Sequence, residues 1–391
     1  MRRSLAGKII SMRAGYLVIL FIALLYGCTS TKKIANQSGR DIRALKLINE
    51  YIVPNDMQLK GTTVGGLSGI DYDQARDVYY MICDDPSSKG HARFYTAKLL
   101  ISNKGIDSIV FTDVTTILDP SGKPYPDITK DRIHSADMEA MRYDPVQDIL
   151  IRSTEGQRFI RDGKQELQNP DIVIMNRSGR YKDSFPLPAN MYIEAEEKGP
   201  RHNSVFEGLT FGDNDNSVFV SLEDAIYEDG RSAATGDSTA WTRLLKFDGK
   251  TKKQIAQYAY QADAVRYAPV PAGAFKVNGV SDILYIGNDQ FIVIERAYST
   301  GRLPSDIRVY LADIKNAEDI STISLATQPV QKPVTKKILL DMNKLDLFID
   351  NIEGVTFGPV LPNGNRSLVF VADNNFSAKQ KSQFLLFEIL P

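Results

Sequence analysis

Short apolar runs separated by polar turns dominate the chain, and no 3.6-residue periodicity persists beyond a turn or two, so the pattern predicts strands and not helices. Five times an acidic or hydroxyl residue opens a short apolar strand, and another acidic residue closes the strand that follows. The copies begin Ser68-Gly69-Ile70-Asp71-Tyr72, Glu139-Ala140-Met141-Arg142-Tyr143, Glu207-Gly208-Leu209-Thr210-Phe211, Ser281-Asp282-Ile283-Leu284-Tyr285 and Glu353-Gly354-Val355-Thr356-Phe357. They end at Asp84, Glu155, Glu223, Glu295 and Asp373. First positions lie 71, 68, 74 and 72 residues apart, the mark of a repeat built from one supersecondary unit. In an antiparallel hairpin the start of one strand lies beside the end of the next, so each copy brings its two polar residues to the same open end.

Between these hairpins lie more variable ones, such as Asp171 to Met175 with Tyr181 to Leu187, and Thr242 to Phe247 with Gln254 to Tyr260. Ser-Gly and Asp-Gly in their turns are the expected hairpin chemistry. Each period thus holds four antiparallel strands, the content of one propeller blade. The last period ends early: after the hairpin closing near Asn374 only the strand Ser382 to Leu390 remains. The segment Ala44 to Ile52 supplies the missing strand, which predicts an all-β, five-bladed β-propeller over residues 42–391 closed by its N-terminal strand. Closure also removes two exposed sheet edges. A six-bladed ring, with a degenerate blade within 158–203 or 225–280, and a two-sheet sandwich remain open alternatives. A short helix is expected within Lys336 to Phe348.

Residues 1–27 read as a leader. Arg2, Arg3, Lys8 and Arg13 form a basic region, Tyr16 to Leu25 a short apolar core, and Leu25-Tyr26-Gly27-Cys28 has the form of a lipobox. Cleavage before Cys28 and its lipidation give a membrane anchor, followed by a linker over 28–41. Thr29, with no aspartate there, favours the outer membrane. Without the leader the net charge is near −5 and no basic stripe stands out, which argues against a nucleic-acid partner. Cys83 has no intramolecular disulfide partner beyond Cys28 and closes an apolar strand as a buried thiol. His91, His134 and His202 lie outside any ligand spacing, so a zinc enzyme is not expected.

A propeller gathers Asp84, Glu139, Glu155, Glu207, Glu223, Asp282, Glu295, Glu353 and Asp373 at one axial face, where like charges need compensation. A hard cation, interleaved basic groups or protonation would supply it. Calcium suits an oxygen-only ligand set. Arg142, Arg152, Arg201, His202 and Arg296 are the basic neighbours. The alternative is structural: the acids accept from backbone amides and arginines and lock each blade to the next. Both uses are compatible on different blades, and Ser68 and Ser281 at the first positions of copies one and four already break the symmetry.

Gly66-Leu67-Ser68-Gly69-Ile70, Asp137-Met138-Glu139-Ala140-Met141, Arg201 through Thr210, Val280 through Leu284 with Ile294-Glu295-Arg296-Ala297-Tyr298, and Asn351 through Val355 together resemble the successive motifs of the phytase-like family, described as "esterase-like activity of phytase". The resemblance runs from about Gly61 to Leu390. It implies a secreted or cell-surface bacterial propeller with hydrolytic activity; propeller phytases are calcium-dependent with an acidic axial face.

The expected function is metal-assisted hydrolysis of an anionic ester, foremost a phosphomonoester, by a lipid-anchored monomer. Glu139, Glu207 and Glu353 are the expected catalytic carboxylates, with Arg201 and Arg296 receiving the anion. Asp84, Glu155, Glu223, Glu295 and Asp373 are the expected metal ligands. The rival is a noncatalytic surface propeller that binds a glycan, peptide or partner protein. Gly65 to Gly69 departs from the nucleophile-elbow pattern, which sets Ser68 aside as a nucleophile. The loop Asp213-Asn214-Asp215-Asn216 lacks the glycine and terminal glutamate of a calcium loop.

Overall fold

Each repeat folds into one four-stranded antiparallel sheet. A computed structural model describes residues 42–212, 216–236 and 238–391. The leader, Cys28 and the linker to residue 41 lie outside the described residues, as do 213–215. From the axis outward, blade 1 consists of Leu67–Asp73, Val78–Cys83, Arg93–Ser102 and Gly105–Thr116. Blade 2 runs Met138–Asp144, Ile149–Thr154, Asp171–Asn176 and Tyr181–Ser184, and blade 3 Phe206–Phe211, Ser217–Leu222, Ala240–Asp248 and Gln254–Ala262. Blade 4 is Lys276–Gly287, Gln290–Ser299, Asp306–Asp313 and Thr335–Asp341. Blade 5 takes Asn351–Phe357, Ser367–Asp373 and Ser382–Leu390 from the C-terminus and its outermost strand, Ala44–Val53, from the N-terminus. Ala44 pairs with Leu390 and Val53 with Ser382, so the predicted closure and the five-blade count both hold. The short helix expected within Lys336 to Phe348 is a single 3-10 turn, Met342–Lys344, which follows the outer strand of blade 4.

The apolar runs show no clean alternation because the second strands are buried on both faces. Tyr79, Met81 and Cys83 pack against Val369, Val371, Phe384 and Leu386 of blade 5. Tyr80 and Ile82 of the same strand pack against Met138, Met141 and Tyr143 of blade 2. Similar apolar layers fill the spaces between blades 2 and 3, 3 and 4, and 4 and 5. The hydrophobic core is thus five inter-blade layers, and each period-two face of a strand serves a different neighbour.

Around the axis the first strands touch one another in ring order. A Cβ on Gly208 would meet Ile283 N of blade 4 at 2.8 Å, and one on Gly354 would meet Ser68 O of blade 1 at 3.1 Å, so glycine at this position allows the approach. Polar side chains stitch the ring. Asp71 accepts from Tyr143 N at 2.8 Å and Thr356 Oγ1 at 2.9 Å, joining blades 1, 2 and 5. Ser68 Oγ donates to Glu139 O at 2.7 Å, Thr210 Oγ1 accepts from Tyr285 N at 3.0 Å, and Ser281 Oγ donates to Ile352 O at 3.2 Å.

Arg142 is the hub. Its side chain is 2% exposed and donates to Ile70 O of blade 1 at 2.6 Å, to Asp282 of blade 4 at 2.7 and 2.9 Å, and to Val355 O of blade 5 at 3.1 Å. Asp282 in turn accepts from Val355 N at 2.9 Å. One guanidinium therefore connects four blades, and its charge is balanced by a carboxylate as buried as itself.

Two outcomes follow for stability. Removing one member of a buried, hydrogen-bonded ion pair leaves the other uncompensated, so Arg142→Met should cost about 3–5 kcal/mol in urea unfolding, with Arg142→Met/Asp282→Asn recovering part of the loss. Deleting residues 42–53 exposes the edge Ser382–Leu390 and strips its packing, and the truncated chain should melt well below the parent or aggregate.

Candidate axial carboxylate site

A β-bulge interrupts the pairing of the first two strands at the same motif position in every blade. The register shifts between Leu67 and Gly69, Met138 and Met141, Phe206 and Gly208, Val280 and Asp282, and Ile352 and Gly354. The opening residues of the five motifs, Ser68, Glu139, Glu207, Ser281 and Glu353, all fall within these interruptions. A bulge leaves one residue out of the ladder and re-aims its side chain. This is how three glutamates reach one axial space without losing the flanking pairs.

Beyond the bulge, the register decides which closing residue faces the axis. Asp84 N donates to Gly66 O, Glu155 N to Asp137 O and Glu223 N to Val205 O, while Asp373 pairs with Asn351. The partner two residues before the motif in blade 4 is Gly279, and it pairs with Arg296. Arg296, and not Glu295, therefore stands where the other blades carry an acid. A one-residue slip turns a side chain to the opposite face. Glu295 accepts instead from Tyr260 Oη at 2.8 Å, Asp263 N at 2.9 Å and Asn278 Nδ2 at 2.9 Å, and pairs with Lys336, locking blade 3 to blade 4. Asp282 likewise serves the Arg142 lock.

The remaining acids converge. Oxygens of Asp84, Asp137 and Glu139 lie within 4.8 Å of one another, and so do oxygens of Glu139, Glu155 and Glu207. Arg296 Nη2 lies 3.1 Å from Glu223 Oε1 and 3.6 Å from Glu353 Oε1. Burial and neighbouring acids push the carboxyls of Asp84, Glu139, Glu155, Glu207 and Asp373 well above their ordinary range. Burial also lifts Glu223, to about 7, with Arg296 opposing the rise. Glu155 Oε2, Glu353 Oε2 and Asp373 Oδ2 are buried without a hydrogen-bond partner. Their other oxygens are held, by Val205 N at 2.9 Å, Asn351 Nδ2 at 2.8 Å and Asn375 N at 2.8 Å, so one oxygen of each is fixed while the second is free.

Arg201 is elsewhere. Its guanidinium donates to Ala225 O at 2.9 Å and Gly230 O at 2.6 Å and stacks on the Tyr227 ring at 4.2 Å, which fixes the loop after Asp224. Ser68 is fully engaged with the backbone of blade 2. Asp137 was not among the expected site residues; it lies just before the first strand of blade 2, and the bulge at Glu139 breaks the alternation that would otherwise relate the two. His202 sits at the rim, with Nδ1 accepting from Arg158 N at 3.4 Å. The acids, the single guanidinium and the rim imidazole form an oxygen-rich site with the donor set of a hard divalent cation.

A curated relative is an uncharacterised secreted protein of Arthroderma benhamiae, 25% identical over 192 residues, which are 46% of this chain and 36% of that one. The match thus spans about a third of the relative's length. Among solved structures, the Dos1 propeller is 8% identical, with 84% of this chain and 69% of that one covered and a TM-score of 0.33. An exo-β-1,3-galactanase of Phanerochaete chrysosporium is 11% identical, with 87% and 64% covered and a TM-score of 0.44. The family model described as "Phytase-like: Esterase-like activity of phytase" matches residues 62–376, and the chain belongs to that family.

Proposed function

We propose that this chain is an exported, lipid-anchored phosphoester hydrolase that works at the axial face with divalent metal, calcium foremost, held by Asp84, Asp137, Glu139, Glu155 and Glu207. The observation that carries the reading is the crowding of these five carboxylates into two oxygen triads, each within 4.8 Å, with Glu155 Oε2 buried and unpartnered. Packing so many acids together is costly unless a cation completes them. The resident groups satisfy the locks elsewhere in the ring but leave this cluster incomplete.

A divalent ion bound there supplies a charge that polarises a phosphoryl oxygen and acidifies a water. Glu207, whose charge Arg296 also feels, would give one oxygen to the metal and accept the proton of an attacking water on the other. Its carboxyl is raised well above the ordinary carboxylate range, by burial first and by Glu223 next. Arg296 lends positive charge to an anionic substrate while Glu223 and Glu353 hold it in place. The lipobox at Cys28 supports the anchor, and Thr29 supports the outer membrane.

The test is turnover by the purified chain of a phosphomonoester and of an acyl ester, with calcium, magnesium, manganese or zinc. Calcium-dependent phosphomonoester hydrolysis supports the reading. Failure of both substrates with all four ions removes it in favour of a noncatalytic surface propeller. Glu139→Gln and Glu207→Gln should lower kcat by about 10²-fold or more. Both should keep or raise the metal-free melting temperature, because each removes one like charge; a purely structural role predicts a lower one.

Stability should also depend on pH with a defined sign. The axial carboxyls titrate higher folded than unfolded, so the folded chain binds more protons from about pH 4 upward, through the value of about 7 at Glu223. Metal-free stability then falls as pH rises across that window. Added calcium binds the ionised form, so its rise in Tm should be larger near pH 8 than near pH 5, as read by thermal scans with and without EDTA.

A further inference from the structure

We propose that the axial site is a two-ion centre in which Glu139 bridges both cations, and that the Arg296 guanidinium fills the place of a third. This rests on the metal-assisted reading above and deepens it.

Glu139 is the one residue common to both oxygen triads, Asp84–Asp137–Glu139 and Glu139–Glu155–Glu207. A carboxylate has two oxygens and can give one to each of two ions. Within each triad the oxygens lie no more than 4.8 Å apart, a spread that ligands across one calcium ion reach at bond lengths of about 2.3–2.6 Å. Glu139 is 6% exposed and Glu155 1% exposed, so neither carboxylate is solvated as a surface group would be. Glu155 Oε2 supplies the independent sign of a ligand, because it is buried and unpartnered while Oε1 is held by Val205 N. In the first triad, Asp137 receives Gln157 Nε2 only at 3.4 Å, a long contact, and sits against the like-charged Asp84.

Charge balance agrees. The two triads hold five carboxylates, so one divalent ion leaves a large residual negative charge in a confined space, whereas two ions nearly neutralise it. The same deficit on the far side of the axis is met from within the chain. Arg296 occupies the register position of Asp84, Glu155, Glu223 and Asp373, and its Nη2 faces Glu223 and Glu353. Blade 4 thus provides a tethered cation where blades 1 to 3 provide ligands. The broken symmetry makes the site one-sided, with ions towards blades 1 to 3 and a fixed guanidinium towards blades 4 and 5.

The experiment is metal stoichiometry of the full chain after equilibrium dialysis against calcium, joined to electron paramagnetic resonance with manganese as the probe ion. The expected result is two calcium ions per wild-type chain and one in each of Asp137→Asn and Glu155→Gln. Bound manganese should give a spin-coupled spectrum in wild type and an isolated-ion sextet in Asp137→Asn. Arg296→Met, which leaves Glu223 and Glu353 without their cation, should take up one further ion. One calcium per wild-type chain with an uncoupled manganese spectrum overturns the two-ion centre while leaving metal-assisted hydrolysis standing. No binding of either ion overturns both. Circular dichroism and melting scans confirm that each variant is folded; where one is not, the wild-type coupling decides the question alone.

Discussion

Five sheets that converge on one axis must place the edges of their inner strands almost in contact, and the backbone groups there have to be paired by something other than water. The Arg142–Asp282 pair answers this constraint. A guanidinium offers its donors in a rigid fork, and here the two terminal nitrogens reach carbonyls of three other blades as well as the facing carboxylate. No lysine has the geometry to do the same. With the axis filled in this way, the inter-blade apolar layers are held in alignment, and the acids nearer the mouth inherit fixed positions.

The same polar residue types therefore do two opposed jobs along one axis. Asp71, Asp282 and Glu295 each spend their oxygens on amides, hydroxyls or basic groups and hold neighbouring blades together. Asp84, Asp137, Glu139, Glu155 and Glu207 crowd one another instead. The difference lies in partners and not in residue type. A lock is satisfied from within the chain, whereas the crowded acids gain from a ligand brought from outside.

Much of this was legible in the sequence. The period near 70 residues, the hairpin turns and the missing final strand were enough to reach the five blades and the N-terminal closure, because repeat spacing and strand content are local properties. The site was legible only in outline. The bulges that aim Glu139, Glu207 and Glu353 inward have no composition signal, and without knowing them the register of blade 4 reads one residue early, at Glu295 instead of Arg296. Arg142 looked like another basic neighbour of the acids; only the three-dimensional ring shows it reaching Asp282, which lies 140 residues away in the chain. Asp137 was missed because it lies just outside its strand and the bulge at Glu139 breaks the alternation between them.

The pairing of Ala44–Val53 with Ser382–Leu390 joins strands at opposite ends of the described chain. The earlier strand has no partner until the later one is made, so the final seal waits for almost the whole propeller to be synthesised. Until then the molecule is an open arc with two unpaired edges, exposed to capture by chaperones. Closing so distant a contact is entropically slow, which makes this pairing the event that commits the ring to its final shape.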